Sequence, residues 1–292
     1  MKAFVIDLSV CNGCYCCQIA CKDEHCGNDW SPYAKPQPDT GQFWLGITEL
    51  VRGQVPKVKV TYIPKLCHHC DDAPCIAQCE AGAIYKREDG LVIIDPGKCV
   101  GCKLCADTCP HGAIFFNENL NIAQKCTGCA HLLDNDPEEW SVPRCVDQCP
   151  TDAIRFGEEA DLKPWIDGAE TLDPEAGTKS RVYYRNLPRK FVGGTLYDPS
   201  EKEVIIGATC ELRDDETGET FTAETDNFGD FWFRGLADDR TFTLTLKKGE
   251  AVKTVPGVRT DKDLCLGDIP MELQRKKRIG KVTSGELPGA FA

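Results

Sequence analysis

The chain has 292 residues, of which 41% are hydrophobic and 27% are charged, and its formal net charge at pH 7 is -12. This composition is that of a globular protein, and the length suits one large domain or two ordinary ones. The acidic balance argues against a nucleic-acid partner, because a basic surface is needed to neutralise phosphates. No apolar run approaches the length of a membrane-spanning helix.

The N-terminus, MKAFVIDLSV, does not resemble a signal peptide, because its apolar run is short and is interrupted by Asp7. We therefore expect a cytoplasmic protein, or one that is exported already folded with a catalytic partner that carries the signal. Disulfide bonds require an oxidising compartment. The 20 cysteines of the chain are therefore better explained by metal binding than by disulfides.

Sixteen of the cysteines form four groups of four, numbered here as quartets in chain order. They are Cys11, Cys14, Cys17 and Cys21; Cys67, Cys70, Cys75 and Cys79; Cys99, Cys102, Cys105 and Cys109; and Cys126, Cys129, Cys145 and Cys149. The last three quartets continue as CEAGAI, CPHGAI and CPTDAI. A recurring frame of this kind indicates one structural unit that is used several times.

The third quartet, CVGCKLCADTCP, has the spacing of a bacterial ferredoxin run. Three thiolates on one short loop can hold three corners of a cubane, whereas the fourth lies one helical turn further on and reaches the neighbouring cluster. Zinc is the competing metal, since CxxC pairs also form tetrahedral zinc sites. Zinc sites usually combine two separated pairs, so the repeated loops favour [4Fe–4S] clusters.

The pairing of the quartets follows from chain distance. The segment between the second and third quartets is short and predicts a hairpin through Asp89-Gly90, so these two quartets form one unit and the first pairs with the fourth. With the fourth cysteines exchanged, the predicted ligands are Cys11, Cys14, Cys17 and Cys149 for cluster 1; Cys126, Cys129, Cys145 and Cys21 for cluster 2; Cys99, Cys102, Cys105 and Cys79 for cluster 3; and Cys67, Cys70, Cys75 and Cys109 for cluster 4.

Other side chains near the quartets have supporting roles in this interpretation. We expect four histidines to hydrogen-bond sulfur or backbone and so tune the clusters, namely His68, His69, His111 and His131. We expect the remaining cysteines to be ordinary buried thiols, namely Cys16, Cys26, Cys210 and Cys265. Residues 27–66 form a proline-broken loop and a strand pair, whose aromatics either fill a partner's pockets or pack over the clusters, namely Trp30, Tyr33, Phe43 and Trp44.

The C-terminal third of the chain has a different sequence pattern. The segment EEADLKPWIDGAE predicts a short surface helix, and beyond Arg189 short alternating strands broken by turns predict an antiparallel sandwich or barrel. The frame TDNFGDF, Thr225 to Phe231, resembles a transthyretin-like or carboxypeptidase-regulatory-like β domain. We see no catalytic constellation in this region, so a docking or structural role is expected.

The predicted fold class is therefore α+β, with tandem ferredoxin-like units followed by an all-β domain. The predicted domains are residues 1–190, with a partner-contacting insertion at 27–66, then 191–275, then a tail at 276–292. The basic run Arg275–Arg278 is expected to be a solvated patch near the C-terminus.

The quartets, the gap from Cys129 to Cys145 and the segment TKSRVYYRNL resemble the iron–sulfur small subunit of molybdopterin oxidoreductases, in the dimethyl sulfoxide reductase superfamily. KCTGCAHLLDNDPEEWSVPRC and the β-rich extension are most similar to the branch of pyrogallol–phloroglucinol transhydroxylase and catechol dehydroxylase. The resemblance implies that a large partner subunit holds the substrate and a molybdenum or tungsten bis-pterin. It also places cluster 1 nearest the pterin and the cluster of the second quartet furthest from it.

The expected function is therefore that of a non-catalytic electron-transfer subunit with four [4Fe–4S] clusters, which serves a pterin enzyme acting on a hydroxylated aromatic and an external electron carrier. The third quartet can be degenerate in this branch and is complete here, which favours net electron flow. No GxGxxG loop follows a strand, so nicotinamide and flavin chemistry is expected elsewhere. The alternative is a free-standing polyferredoxin without a stable catalytic partner.

Overall fold

The computed structural model describes residues 1–273, which form two compact units. Unit 1 comprises Met1–Val51 and Lys59–Pro188, and unit 2 comprises Arg52–Val58 and the chain from Arg189 onward. The predicted tail at 276–292, the basic run Arg275–Arg278 and the last two residues of the predicted β domain lie outside the described residues. Among residues 1–273, no helix is long and apolar enough to cross a membrane.

Unit 1 consists of short elements joined by the cysteine-bearing loops. In chain order they are β1 (Lys2–Asp7), α1 (Cys16–His25), β2 (Gly46–Gln54), β3 (Lys57–Lys65), α2 (Pro74–Ala77), β4 (Ile84–Lys86), β5 (Val92–Ile94), α3 (Leu104–Thr108), β6 (Phe115–Asn117), β7 (Ile122–Gln124), α4 (Ala130–Asn135), α5 (Arg144–Asp147), β8 (Ile154–Glu158), α6 (Glu159–Ile166) and β9 (Val182–Arg185). The hairpin tip between β2 and β3 belongs to unit 2.

The first strand closes unit 1 on itself. β1 lies between β8, to which it is antiparallel, and β9, to which it is parallel. Its residues 3–6 are buried on both faces, as is typical of a central strand with a continuous apolar run. Phe4 and Ile6 join the main core of the unit, whereas Ala3 and Val5 pack with Leu162 of α6. The helix predicted from EEADLKPWIDGAE is confirmed as α6.

Each quartet includes a short helix, and these helices pack in pairs. α2 packs against α3, and α1 packs against α5. β4 and β5 form the hairpin predicted through Asp89-Gly90, with Gly90 at a φ of 93°, and β6 and β7 form its counterpart in the next repeat. The predicted hairpin is therefore confirmed, and the second and third quartets each have a short helix and a short hairpin beside their cysteines.

The aromatic side chains of the insertion pack inside unit 1. Trp44 is buried, and its ring centroid is 4.6 Å from that of His25. Trp30 stacks on His131 with 4.4 Å between ring centroids, and the Tyr33 hydroxyl donates to Asp134 at 2.5 Å. The alternative in which these rings fill a partner's pockets is therefore wrong for Trp44, which is only 2% exposed.

Unit 2 contains two four-stranded sheets that share one buried core. Its strands are β10 (Lys190–Asp198), β11 (Glu203–Val204), β12 (Thr209–Asp214), β13 (Thr220–Glu224), β14 (Asp230–Leu236), β15 (Thr241–Lys248), β16 (Ala251–Arg259) and β17 (Leu264–Pro270). One sheet has the order β11-β10-β14 with β17 beside β10, and the other has the order β13-β12-β15-β16. Alternate residues of β12 and β15 face a core that also includes Phe231 and Phe233.

The prediction of a wholly antiparallel domain is wrong at one strand pair. β17 runs parallel to β10, because the chain crosses from one sheet to the other between Arg259 and Leu264. The other pairs in both sheets are antiparallel.

The hairpin tip at residues 52–58 is held by polar contacts within unit 2. Arg52 Nη1 lies 3.1 Å from the carboxylate of Asp263, and the Lys57 ammonium forms an ion pair with Asp230. Lys57 Nζ also lies 5.5 Å from the centroid of the Trp232 ring. The tip therefore forms part of this unit through charged groups on both sides of the turn.

Candidate metal centres

Each quartet begins with a Cys-x-x-Cys turn whose third residue has a positive φ. The residues at this position are Gly13 at 69°, Gly101 at 73°, Gly128 at 63° and, in the second quartet, His69 at 45°. Glycine adopts this conformation without steric penalty, whereas other residues rarely do. The turn aims backbone amides at sulfur: the Gly128 N–H lies 3.4 Å from Cys126 Sγ, and the His69 N–H lies 3.5 Å from Cys67 Sγ.

Three thiols of the third quartet and one of the second line a common cavity. The cavity is open to solvent and has a volume of about 350 Å³. Its cysteines are Cys79, Cys99, Cys102 and Cys105. Ala83, Ile84 and Ile94 complete its apolar wall. The structure therefore brings together the residues predicted to bind cluster 3.

A second cavity contains the complementary set of thiols. It has about 340 Å³ of empty space, and its cysteines are Cys67, Cys70, Cys75 and Cys109. His68 and His111 also line it and stack on each other, with 3.7 Å between ring centroids. The two quartets thus exchange their fourth cysteines, and the residues predicted for cluster 4 are together.

The first three thiols of the first quartet lie near the last cysteine of the fourth quartet. Burial is the largest cause that raises the pKa of the Cys17 thiol to about 12, and the neighbouring thiols of Cys149, Cys11 and Cys14 raise it further in that order. Thiols that influence one another in this way are close in space. The four residues predicted for cluster 1 are therefore neighbours.

The first three thiols of the fourth quartet lie near the last cysteine of the first quartet. Burial and then the thiols of Cys126 and Cys129 raise the pKa of Cys21 well above its ordinary value. Burial also raises the pKa of Cys145, followed by the thiols of Cys129, Cys126 and Cys21. These four are the residues predicted for cluster 2.

The four groups of thiols form a series. The Cys17 thiol of the cluster 1 group raises the pKa of Cys145 in the cluster 2 group, and the Cys67 thiol of the cluster 4 group raises that of Cys126. The packing agrees, because Cys17, Cys145, Cys126 and Cys67 share one buried core, whereas Cys75 lies in a second core with Cys79, Cys99 and Cys105. The order is therefore 1, 2, 4, 3. The expectation that the second quartet's group lies at the end of the series is wrong, because the loop beginning at Cys67 packs against Cys126. Cys102 in the cluster 3 group is exposed.

The thiol arrangement fits an iron–sulfur cluster better than a single ion. All 20 cysteines are free thiols. Within residues 1–273, no three His, Cys, Asp or Glu side chains converge on one point suited to a single metal ion. Four thiols around an apolar cavity instead match a cubane with a cysteine at each iron. His68 Nδ1, beside the cluster 4 group, is buried without a hydrogen-bond partner. A cluster in this cavity would supply a sulfide as the missing acceptor.

The four predicted histidines contact backbone, carboxylate, hydroxyl or ring groups. His69 Nδ1 accepts the Val92 N–H at 3.0 Å, and His111 Nε2 lies 3.0 Å from the Thr178 hydroxyl. His131 Nε2 lies 2.9 Å from Glu24. The predicted hydrogen bond to sulfur or backbone is therefore confirmed for His69, but the prediction is wrong for His111 and His131, whose partners are a hydroxyl and a carboxylate.

His25 was missed in the sequence analysis. Its Nε2 atom lies 4.0 Å from Cys129 Sγ, and the residue is 1% exposed. The spacing of Cys17, Cys21 and His25 is a signal that could have identified it, because residues four apart share one face of a helix, and all three are buried on α1.

The remaining cysteines differ in exposure. Cys210 is buried, and Cys26 and Cys265 are half-buried. The prediction of a buried thiol is wrong for Cys16, which is exposed. A hydrogen bond with the Cys14 thiol is the largest cause that raises the pKa of Cys16, so this side chain lies beside the cluster 1 group without belonging to its frame.

Comparison with known proteins identifies iron–sulfur proteins that are similar to this chain. Residues 58–159 match the family model of a 4Fe-4S dicluster domain. The chain is 38% identical over 275 residues to the small subunit of pyrogallol hydroxytransferase from Pelobacter acidigallici, covering 91% of this chain and 98% of that one. It is 36% identical over 201 residues to a sulfite dehydrogenase subunit from Allochromatium vinosum, covering 64% and 83% respectively. It is 33% identical over 234 residues to the arsenate respiratory reductase iron-sulfur subunit of a Shewanella species, covering 62% and 94%.

Proposed function

The chain belongs to the family of iron–sulfur small subunits of molybdopterin oxidoreductases, and from this premise we propose that it holds four [4Fe–4S] clusters in series. It relays single electrons between the molybdopterin site of a large partner subunit and an external carrier. The observation that carries the proposal is the exchange of fourth cysteines between quartets, which produces two cavities with four thiols each.

In this proposal the cysteine groups described above hold clusters 1, 2, 4 and 3 in that spatial order. Each [4Fe–4S] cluster supplies, when bound, a one-electron couple. The chain provides thiolates, apolar walls that exclude water, and amides such as those of Gly128 and His69 that point at sulfur. Hydrogen bonds of this kind stabilise negative charge on the cluster and tune its potential.

The thiols also couple cluster binding to proton release. Burial is the main cause that raises the pKa of Cys75 to about 12 and of Cys105 to about 11. These side chains are therefore protonated at neutral pH unless a metal displaces the proton, since the thiolate is the ligand form. Loading of the sites must release protons, and acid conditions oppose it.

The partner subunit is proposed to carry a bis-pterin with molybdenum or tungsten and to act on a hydroxylated aromatic. A relative whose match covers 91% of the chain is a pyrogallol hydroxytransferase small subunit, which supports this class of substrate. Both hydroxyl transfer and reductive dehydroxylation are compatible with it. The complete third quartet favours reductive dehydroxylation, because an internally balanced hydroxyl exchange needs no electrons from outside. The compartment stays a prediction from the sequence.

Elemental analysis of the anaerobically purified, tagged chain tests the proposal. Four cubanes predict about sixteen iron atoms per chain, accompanied by a co-purifying large subunit and about one molybdenum or tungsten. The same iron content without either metal, and without a second chain, would favour the free-standing polyferredoxin. About four zinc atoms with little iron would contradict both.

A further inference from the structure

Lys125 is a buried cation without a visible counter-charge. The residue is 2% exposed, and its ammonium donates to the carbonyl of Cys126 at 3.0 Å and to the carbonyl of Val92. Both acceptors are neutral, and no carboxylate within residues 1–273 lies at ion-pair distance from it. Lysine is almost never fully buried unless it is paired, because an unpaired charge in a low-dielectric interior is costly. The missing anion is therefore not a carboxylate of the described residues.

The position of Lys125 indicates which anion that is. Its neighbour Cys126 belongs to the cluster 2 group, while Val92 donates its N–H to His69, in the loop of the cluster 4 group. The positive charge acts on thiols of both groups, since it lowers the pKa of Cys75 and of Cys126 against the larger, opposite effect of burial. The ammonium thus lies at the junction of the two inner groups.

We propose that the Lys125 ammonium is the fixed counter-charge shared by clusters 2 and 4, and that it raises the reduction potential of both. The inference rests on the proposed four-cluster function. A cubane with four thiolates carries about −2 when oxidised and about −3 when reduced, so a nearby cation stabilises the reduced form more strongly. Clusters 2 and 4, which lie in the middle of the series, then accept electrons more readily than their burial alone would allow.

If Lys125 acts as a counter-charge, the cluster potentials depend on its positive charge. If its role is purely structural, they do not. Lys86 provides the matched control, because its ammonium also donates to the carbonyl of a predicted ligand, Cys70, at 3.1 Å. Its charge is already paired with Asp71. The Lys86 side chain is 21% exposed, so solvent screens its charge more strongly than that of Lys125. Removal of Lys86 therefore deletes a similar hydrogen bond with a smaller electrostatic effect on the clusters.

The test is a redox titration of the purified complex followed by electron paramagnetic resonance. We expect Lys125→Met to lower the midpoint potentials of two of the four clusters. The one-electron reduction equilibrium of each should fall about tenfold, which corresponds to a shift of about 59 mV. Lys125→Gln, which retains an N–H donor for the same carbonyls, should behave like Lys125→Met. Lys125→Arg should retain the wild-type potentials, and Lys86→Met should shift them by less than about threefold.

The outcomes separate this proposal from the one on which it rests. Fewer than four clusters in the wild-type complex contradict the four-cluster function, whatever Lys125 does. Four clusters with unmoved potentials in Lys125→Met, or equal shifts in Lys86→Met, overturn the counter-charge. If both neutral variants lose iron while Lys125→Arg retains it, the charge is needed to hold the clusters, which supports the proposal. If Lys125→Arg also loses iron, the side chain acts through its shape and the proposal is overturned.

Discussion

The Nε2 atom of His25 lies 4.0 Å from the Sγ atom of Cys129, which is 104 residues further along the chain. Burial lowers the pKa of His25 to about 3, followed by the charge of His131, so the ring is neutral at physiological pH. Its Nδ1 atom has no hydrogen-bond partner among the described residues. The Nε2–H tautomer can therefore donate to the Cys129 sulfur.

A His25→Phe variant should lower the midpoint potential of cluster 2, because hydrogen bonds to a ligand sulfur raise it. We expect a smaller shift than for Lys125→Met, since a neutral donor is lost and not a full charge. The measurement is the same redox titration, with His131→Phe as control, because His131 Nε2 pairs with Glu24. Equal shifts in both variants would mean that ring packing, and not the contact with Cys129, sets the potential.

Cys149→Ala should remove cluster 1 although Cys149 belongs to the fourth quartet. Iron should fall from about sixteen to about twelve atoms per chain, and electron transfer to the partner should stop. Cys26→Ala is the matched control, because Cys26 is half-buried like Cys149 but lies outside the four predicted ligand groups, with 3.6 Å between its Sγ and the carboxylate of Asp39. Unchanged iron and unchanged spectra in Cys149→Ala would show that the exchanged ligand assignment is wrong.

Gly128→Ala should disrupt the loop that carries Cys126 and Cys129. An added Cβ would lie 2.8 Å from Leu91 Cδ2, in a backbone with a φ of 63°. Strain and overlap together should destabilise the loop by about 1 to 3 kcal/mol and reduce cluster 2 loading. Gly112→Ala has a similar φ of 58° but nothing within 4 Å of the added Cβ. Iron analysis and thermal unfolding should therefore show a larger loss for Gly128→Ala than for Gly112→Ala.

The Asp230–Lys57 ion pair should make unit 2 sensitive to acid. Burial raises the pKa of Asp230, but hydrogen bonds from Lys57 and Thr195 and the charge of Lys57 outweigh it, so that the pKa lies below the ordinary value of 3.8. A lowered pKa contributes stability that is present above the ordinary value and is lost as the pH falls through the lowered one. The protection of β10 and β14 amides against hydrogen exchange, relative to their intrinsic rates, should therefore fall below about pH 4.

Lys57→Met should move this acid transition to higher pH, because burial of Asp230 then acts unopposed by the lysine. Lys247→Met is the control, since Lys247 forms an exposed ion pair with Glu211, and exposed pairs contribute about 1 kcal/mol or less. Identical acid transitions in the wild type and in Lys57→Met would show that this ion pair does not stabilise the strands.

The sequence was sufficient for features encoded by short spacings. The quartets, the hairpin at Asp89-Gly90 and helix α6 each depend on residues close together in the chain. The order of the cysteine groups depends on the contact of Cys67 with Cys126, which no local pattern encodes. The burial of Lys125 likewise depends on Val92, a residue from another repeat. The parallel pairing of β17 follows from a crossover between sheets, whereas alternation in a strand specifies its buried face and not its direction.

The central position of β1 has a consequence for biosynthesis. Lys2 pairs with Glu158, and Asp7 pairs with Arg185, so β1 is synthesised long before the strands on either side of it. The cluster 3 and cluster 4 groups are complete in a nascent chain once Cys109 has emerged, while the other two must wait for Cys145 and Cys149. Until then the apolar strand FVI has both edges unpaired, which is a template for aggregation. We therefore expect the cluster 3 and cluster 4 sites to be filled before the other two, and β1 to stay unpaired until translation has passed Arg185.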